Sequence, residues 1–223
     1  MQSWEILQQR RQRVLLASIA YGGARVSLAF LRMYKNIQLP PGSDTIIVEN
    51  LPYGPARNHC AATVLQGGYA YLAFLDLDTL LPPDAYLRLM ETGYPLISAF
   101  YYQKFPPYNP AFFGAGTNEQ RQLVKTNIAF TPGQIVDCVF MPSGACLIHR
   151  SVFERMQAAG ITKFYEWRLD IDNPSGESED YNFSLKAYQL GITPRVHTGI
   201  IAKHEFISTV EIETQGVVKP SML

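Results

Sequence analysis

Apolar and polar positions along the chain follow two periods that alternate. Val14–Ala20 (VLLASIA) is apolar but for Ser18, the pattern of a strand buried on both faces. Gly22-Gly23 break it, and residues 24–35 then carry Val26, Phe30 and Met33 at helical spacing. Residues 45–49 (TIIVE) predict a second strand. Pro55 suits the first turn of a helix that runs through Arg57 and Ala61 to Gln66, where Gly67-Gly68 stop it. Residues 70–75 (AYLAFL) predict a third strand, which enters Asp76-Leu77-Asp78. Pro82-Pro83 open another helix ending near Gly93, and residues 95–101 (PLISAFY) predict a fourth strand. This order implies an α/β fold with a mostly parallel sheet flanked by helices.

Beyond the fourth strand the pattern loosens. Residues 103–116 (QKFPPYNPAFFGAG) are rich in Pro, Tyr, Phe and Gly, and read as an ordered functional loop or a lid. Short strands are expected at 135–140 and Ala145–His149. A helix is expected at 151–160, with Ser151 as N-cap and Glu154 completing a capping box. Residues 180–190 predict a further helix closed by Gly191, and 195–202 a late strand. The pattern fades after Phe206. With no repeat or linker, the expectation is one domain over 1–223, with a lead-in at 1–13 and a flexible tail at 207–223.

Composition narrows the class. In 223 residues, 47% hydrophobic and 17% charged content supports a core and argues against disorder. Lys+Arg and Asp+Glu are equal at 19, so no polyanion-binding surface follows from net charge. The only basic cluster, Arg10, Arg11 and Arg13, reads as a solvated approach to the first strand. Cys60, Cys138 and Cys146 form no CxxC pair, which argues for a reducing compartment. No apolar run approaches the roughly 20 residues of a membrane span, and the polar N-terminus lacks a signal-peptide pattern. A soluble cytoplasmic protein is expected.

Five groups of residues carry candidate chemistry. Asp76 and Asp78 stand one residue apart at a strand end. In an extended chain they would face the same way, toward one hard cation such as Mg²⁺ or Mn²⁺. The plain alternative is a turn with two solvated acids. Glu179-Asp180, in Gly176-Glu177-Ser178-Glu179-Asp180-Tyr181, opens a helix and reads either as a cap or as a general base. His197 and His204 fall on or just after the last strand, where an imidazole beside two carboxylates would complete a metal site. Arg57-Asn58 lies early in its helix. An Arg there opposes the dipole, so an anionic partner is expected, either a diphosphate or a salt bridge to Glu49 or Asp44. Pro142-Ser143-Gly144-Ala145 is either a hairpin turn or a place where substrate approaches the backbone.

In order and spacing, these groups resemble the family-2-like glycosyltransferases of GT-A fold. Residues 56–102 are most similar to the small members found in phage and environmental genomes. The resemblance implies a nucleoside-diphosphate sugar donor and an acceptor hydroxyl on a glycan, protein or small molecule. It implies Mn²⁺ or Mg²⁺ on Asp76, Asp78 and His204, and inverting transfer with Asp180 as base, Glu179 preceding it. Ala17, Ala20, Tyr21, Arg57, Asp76 and Leu77 would meet the nucleotide-sugar, and Ser143, Gly144 and Ala145 would face the acceptor. There are departures. The first strand ends in Ile19-Ala20-Tyr21, where the family often has Pro-x-Tyr or Pro-x-Asn. No Gln-x-x-Arg-Trp follows Asp180, so a polymerising synthase is not expected. Three alternatives remain open: a retaining GT-A transferase, a non-catalytic sugar-nucleotide-binding module, and a sugar nucleotidyltransferase, whose glycine-rich turn Tyr21-Gly22-Gly23-Ala24-Arg25 loosely imitates.

Overall fold

The computed structural model describes residues 12–119, 123–170, 173–205, 208–212 and 218–222. Arg10 and Arg11 of the basic lead-in, and 207, 213–217 and 223 of the tail, lie outside the described residues. The strands are β1 (Val14–Ala20), β2 (Asp44–Glu49), β3 (Tyr71–Leu75), β4 (Thr79–Leu80), β5 (Leu96–Phe100), β6 (Gly114–Thr117), β7 (Leu123–Thr126), β8 (Ile135–Asp137), β9 (Ala145–His149), β10 (Arg168–Asp170), β11 (Asn173–Glu177), β12 (Arg195–Ile201), β13 (Lys203–His204), β14 (Ser208–Ile212) and β15 (Val218–Met222). The helices are α1 (Leu28–Asn36), α2 (Tyr53–Gly67), α3 (Ala85–Glu91), α4 (Arg150–Ala158) and α5 (Glu179–Gln189).

Seven strands form the central sheet in the order β2-β1-β3-β9-β5-β12-β8. β1 runs parallel to β2 and β3, and β5 parallel to β12. β9 enters antiparallel between β3 and β5, and β8 lies antiparallel on the β12 edge. The sheet is therefore mostly parallel, with a reversed strand at its centre. That strand matters for the site, because its first residue, Ala145, pairs with Leu75, the last of β3.

The strand period of two sorts side chains onto two cores. Leu15, Ala17, Leu72, Phe74, Cys146 and Ile148 pack toward α2, α4 and α5, with Val64, Phe153 and Phe183. Val14, Leu16, Ala73, Leu75, Ile97 and Leu147 pack toward α1 and α3, with Phe30, Tyr86 and Leu89. Burial on both faces explains why these strands read as apolar runs.

Local details differ from expectation. The N-cap of α4 is His149, whose Nδ1 accepts from the Ser151 N–H at 3.3 Å, and Ser151 lies inside the helix. Glu154 pairs with Arg150 at 2.7 Å one turn away and does not close a capping box. The 103–116 segment divides. Ala111, Phe112 and Phe113 are buried, while Phe105 and Tyr108 stay exposed. In the tail, expected as a flexible arm, β14 pairs antiparallel with β15. The three cysteines are free and buried. Among the described residues, no helix is long and apolar enough to cross a membrane.

Candidate active site

Asp76 sits at the carboxyl edge of the sheet. The Ser18 hydroxyl donates to the Leu75 carbonyl at 2.7 Å, fixing the end of β3 against β1. The Asp76 N–H donates to the Gly144 carbonyl at 2.8 Å, and the Thr79 N–H to the Asp76 carbonyl at 3.0 Å. Asp76-Leu77-Asp78 is thus a tight turn, and the extended geometry expected of it is not kept. The two carboxylates engage different cations: Asp76 takes Arg57, and Asp78 takes Lys104.

Arg57 is the centre of the arrangement. Its Nη2 lies 3.1 Å from Asp76 Oδ1 and its Nε 3.2 Å from Glu179 Oε1, with its side chain 3% exposed. Its guanidinium carbon lies 4.6 Å from the Phe74 ring centroid. Burial opposes its charge, but the surrounding groups, Asp76 and Glu179 foremost with Tyr165 and Asp180, together outweigh burial and hold its pKa well above the usual value. Its partners are neither Glu49 nor Asp44. Asp44 takes Arg13 at 2.9 Å, so this part of the basic lead-in is a staple and not a solvated approach. Arg57 Nη1, the Ser143 hydroxyl and the Tyr165 hydroxyl are buried and have no hydrogen-bond partner among the described residues.

The carboxyls around Arg57 resist ionisation. Burial raises Asp76 most, Arg57 opposes, and the charges of Asp78 and Asp180 add to the rise. The Asp76 side chain still keeps 29% of its surface accessible. Burial likewise raises Glu179, with help from Asp180 and against Arg57. Glu179 faces inward onto Arg57, whereas Asp180 is half-buried. Asp180 Oδ1 accepts from the Tyr181 N–H at 2.8 Å and from the Ser178 hydroxyl, and Oδ2 accepts from the Ser143 N–H at 3.4 Å.

Gly144 explains the spacing. A Cβ placed on it would lie 2.7 Å from Asp76 Oδ2 and 2.8 Å from the Tyr101 hydroxyl. The Gly144 N–H donates to that hydroxyl at 3.0 Å. Residues 142–144 are no hairpin turn, because β8 before them pairs with β12 while β9 after them pairs with β3 and β5. Ser143 and Ala145 are fully buried, as is Ala17 in mid-strand, and none offers a surface to a ligand in this conformation. Leu77 packs against the α1–α3 core. Of the expected nucleotide contacts, Ala20 is half-buried and Tyr21 is exposed, its ring edge-on to Tyr53 at 6.3 Å. Gly22 and Gly23 follow with φ of 68° and 74°, a turn that a side chain would strain.

His204 stands beside the Asp76–Asp78 turn because β13 pairs with β4, placing it opposite Thr79. Its Nδ1 lies 2.7 Å from the Tyr102 carbonyl. A carbonyl only accepts, so Nδ1 carries the proton and Nε2 keeps a lone pair. Burial lowers its pKa, against the charge of Asp78, and the ring stays neutral near pH 7. His197 is separate. It lies opposite Ala99 and Ile135, and burial and Arg88 lower its pKa.

Among the described residues, no three His, Cys, Asp or Glu side chains converge into a ready-made metal cage. The donor set nevertheless fits a hard or borderline cation: the carboxylate of Asp78 and the free Nε2 of His204, with Asp76 nearby. Mg²⁺-type ions commonly take one or two carboxylates and complete their shell with substrate phosphates. Three groups of this site were not foreseen. Lys104 was the lone cation in an aromatic loop, a readable signal. Tyr101 and the Tyr102 carbonyl gave none, since their roles depend on which strands pair.

No family model matches the chain, and no curated protein matches it in sequence. Solved structures match in shape. A197 from STIV superposes with a TM-score of 0.57 at 15% identity, over 93% of each chain. GalNAc-T7 with UDP, GalNAc and Mn²⁺ superposes with a TM-score of 0.50 at 13% identity, over 87% of this chain and 44% of that one. At such identities the likeness establishes the fold alone: a GT-A-like sheet flanked by helices.

Proposed function

We propose that this chain transfers a sugar from a nucleoside-diphosphate sugar to an acceptor hydroxyl, with Asp180 as base and inversion at the sugar carbon. The observation that carries this reading is the Arg57 bridge. One buried guanidinium ties Asp76, at the end of β3, to Glu179, the neighbour of Asp180 at the start of α5. Carboxylates from distant parts of the chain thereby share the sheet edge where open α/β folds bind ligands. The likeness to GalNAc-T7, whose structure contains UDP, GalNAc and Mn²⁺, supports the donor class.

Asp78 and His204, with Asp76 beside them, would hold Mn²⁺ or Mg²⁺. What a divalent cation supplies there is neutralisation of the charge growing on the leaving diphosphate. The chain's own groups do the rest. Exposed Tyr21, with Ala20 and the Gly22-Gly23 turn, borders the nucleotide. Arg57 sets the direction of Asp76. Two backbone N–H groups, of Ser143 and Tyr181, orient the Asp180 carboxylate. The acceptor oxygen bonds to the anomeric carbon, the carbon–oxygen bond to the diphosphate breaks with its electron pair leaving on the diphosphate, and the acceptor proton passes to Asp180.

A second reading, a sugar-nucleotide-binding module without catalysis, is favoured by one feature: Asp180 Oδ1 already accepts two local hydrogen bonds, as a purely structural side chain would. Turnover by the unaltered chain separates the two, because a module without catalysis binds donor and transfers to no acceptor; Asp180→Asn then tests the base. The transfer reading expects donor binding by calorimetry to survive while transfer is lost, and wild-type transfer by this variant would rule out Asp180 as base.

A further inference from the structure

The chain leaving β5 forms a closed loop with a cavity beneath it. Tyr102 bridges to Pro110, the Gln103 N–H donates to the Asn109 carbonyl at 2.8 Å, and the Tyr108 N–H to the Phe105 carbonyl at 2.9 Å. The cavity, of 490 Å³, lies between this loop (Tyr102, Lys104, Phe105, Tyr108) and the β12–β13 segment (Ile201, His204). Tyr102, Phe105 and Tyr108 are 52%, 55% and 57% exposed. Single exposed aromatics need no explanation, but three on one cavity wall differ, and one of them is held in an unfavourable backbone. Tyr108 has φ of 55°, in the left-handed region that a residue with a Cβ seldom adopts. The loop's own hydrogen bonds hold that conformation, so the rings are presented before any ligand arrives.

The cavity adjoins the proposed centre. Lys104, in its wall, pairs with Asp78, and His204, also in its wall, donates to the Tyr102 carbonyl. The other exposed aromatic pair, Tyr21 and Tyr53, stands at the end of β1 and the start of α2. In the sheet order, β1 and the β5–β12 pair lie on opposite sides of β3–β9. A nucleotide on the β1 side would therefore lie across β3–β9 from the cavity.

We propose that this cavity is the acceptor subsite and that it takes a saccharide, an inference that rests on the transfer reading of the centre. The apolar C–H faces of a sugar ring suit the exposed faces of Phe105 and Tyr108. Its hydroxyls suit Gln103, Lys104 and Lys203, which share the lining with no acidic residue. An alkyl chain would leave those polar groups without partners. The volume lies within the roughly 300–1,000 Å³ of small-molecule sites.

Saturation-transfer difference NMR tests this on the full chain without donor. The probes are the methyl glycosides of glucose, galactose, mannose and N-acetylglucosamine, with octanol as a non-sugar. At least one glycoside should receive saturation at its ring protons, and the signal should fall by about fivefold in a Phe105→Ala/Tyr108→Asn variant. Asn tolerates the left-handed backbone, so the loop is kept while the ring is removed. Transfer to no glycoside, transfer to octanol alone, or equal transfer in the variant overturns the proposal. Thermal stabilisation by nucleoside-diphosphate sugars with Mn²⁺ is read in parallel. Its absence in both wild type and variant would count against the transfer reading, whereas its equal presence in both, with saturation lost in the variant, assigns the defect to the saccharide subsite.

Discussion

Arg57 Nη2 lies 3.1 Å from Asp76 Oδ1, and this pair, 19 positions apart in the chain, joins a helix start to a strand end. Removing a buried partner leaves an uncompensated charge, so Arg57→Ala should cost about 3–5 kcal/mol in urea unfolding. Arg57→Lys should rescue little, because one ammonium cannot reach both Asp76 and Glu179 as the guanidinium fork does. A loss below about 1 kcal/mol, the range of exposed pairs, would show the bridge to be unimportant.

Gly144→Ala places a methyl group 2.7 Å from Asp76 Oδ2. The carboxylate and the Tyr101 hydroxyl must then move apart. A stability loss of about 1–3 kcal/mol is expected by calorimetry, together with weakened donor binding. Unchanged donor affinity would mean that the direction of Asp76 does not matter.

Lys104 and the proposed metal compete for Asp78. In Lys104→Gln the carboxylate is released, and Mn²⁺ should bind more tightly, by roughly threefold for a pair this exposed. Mn²⁺ titration followed by electron paramagnetic resonance reads the change without any donor present. Equal or weaker Mn²⁺ binding in the variant would remove Asp78 from the metal site.

His149 sets a pH dependence away from the site. Burial, against the charge of Glu154, holds its pKa below the ordinary 6.5. Its Nδ1 must also stay unprotonated to accept at the start of α4. The unfolded chain therefore takes up a proton that the folded chain refuses, and stability falls as pH drops through 6.5 and below. His149→Gln should flatten, without abolishing, the loss in urea midpoint between about pH 7.5 and about pH 5.5, because His197 and His204 are also lowered. An unchanged slope would exclude His149 as a contributor.

How far the chain could be read follows from how local each feature is. β1 was legible to its last residue, since an apolar run interrupted only by Ser18 needs no partner to identify it. The position of β9 was not, because an antiparallel strand at the sheet centre is a matter of pairing with β3 and β5. That one placement brings Gly144 against Asp76, so the reading of 142–145 as a turn or an acceptor face missed its role. An anionic partner for Arg57 was foreseeable from its helix position, but Glu179, 122 residues away, was not. Ala17 was placed at the nucleotide by the family resemblance, while its side chain points into the core. The 103–116 loop could not be divided in advance, because composition alone does not separate its buried half, Phe112 and Phe113, from its exposed half, Phe105 and Tyr108.

The most direct test of the central claim is a thermal-shift titration of the wild-type chain and Asp78→Asn with a panel of nucleoside-diphosphate sugars, with and without Mn²⁺. The account predicts that at least one donor stabilises the wild type only when Mn²⁺ is present, and that Asp78→Asn loses this stabilisation. Stabilisation by no donor, or equal stabilisation without Mn²⁺ and in the variant, would contradict it.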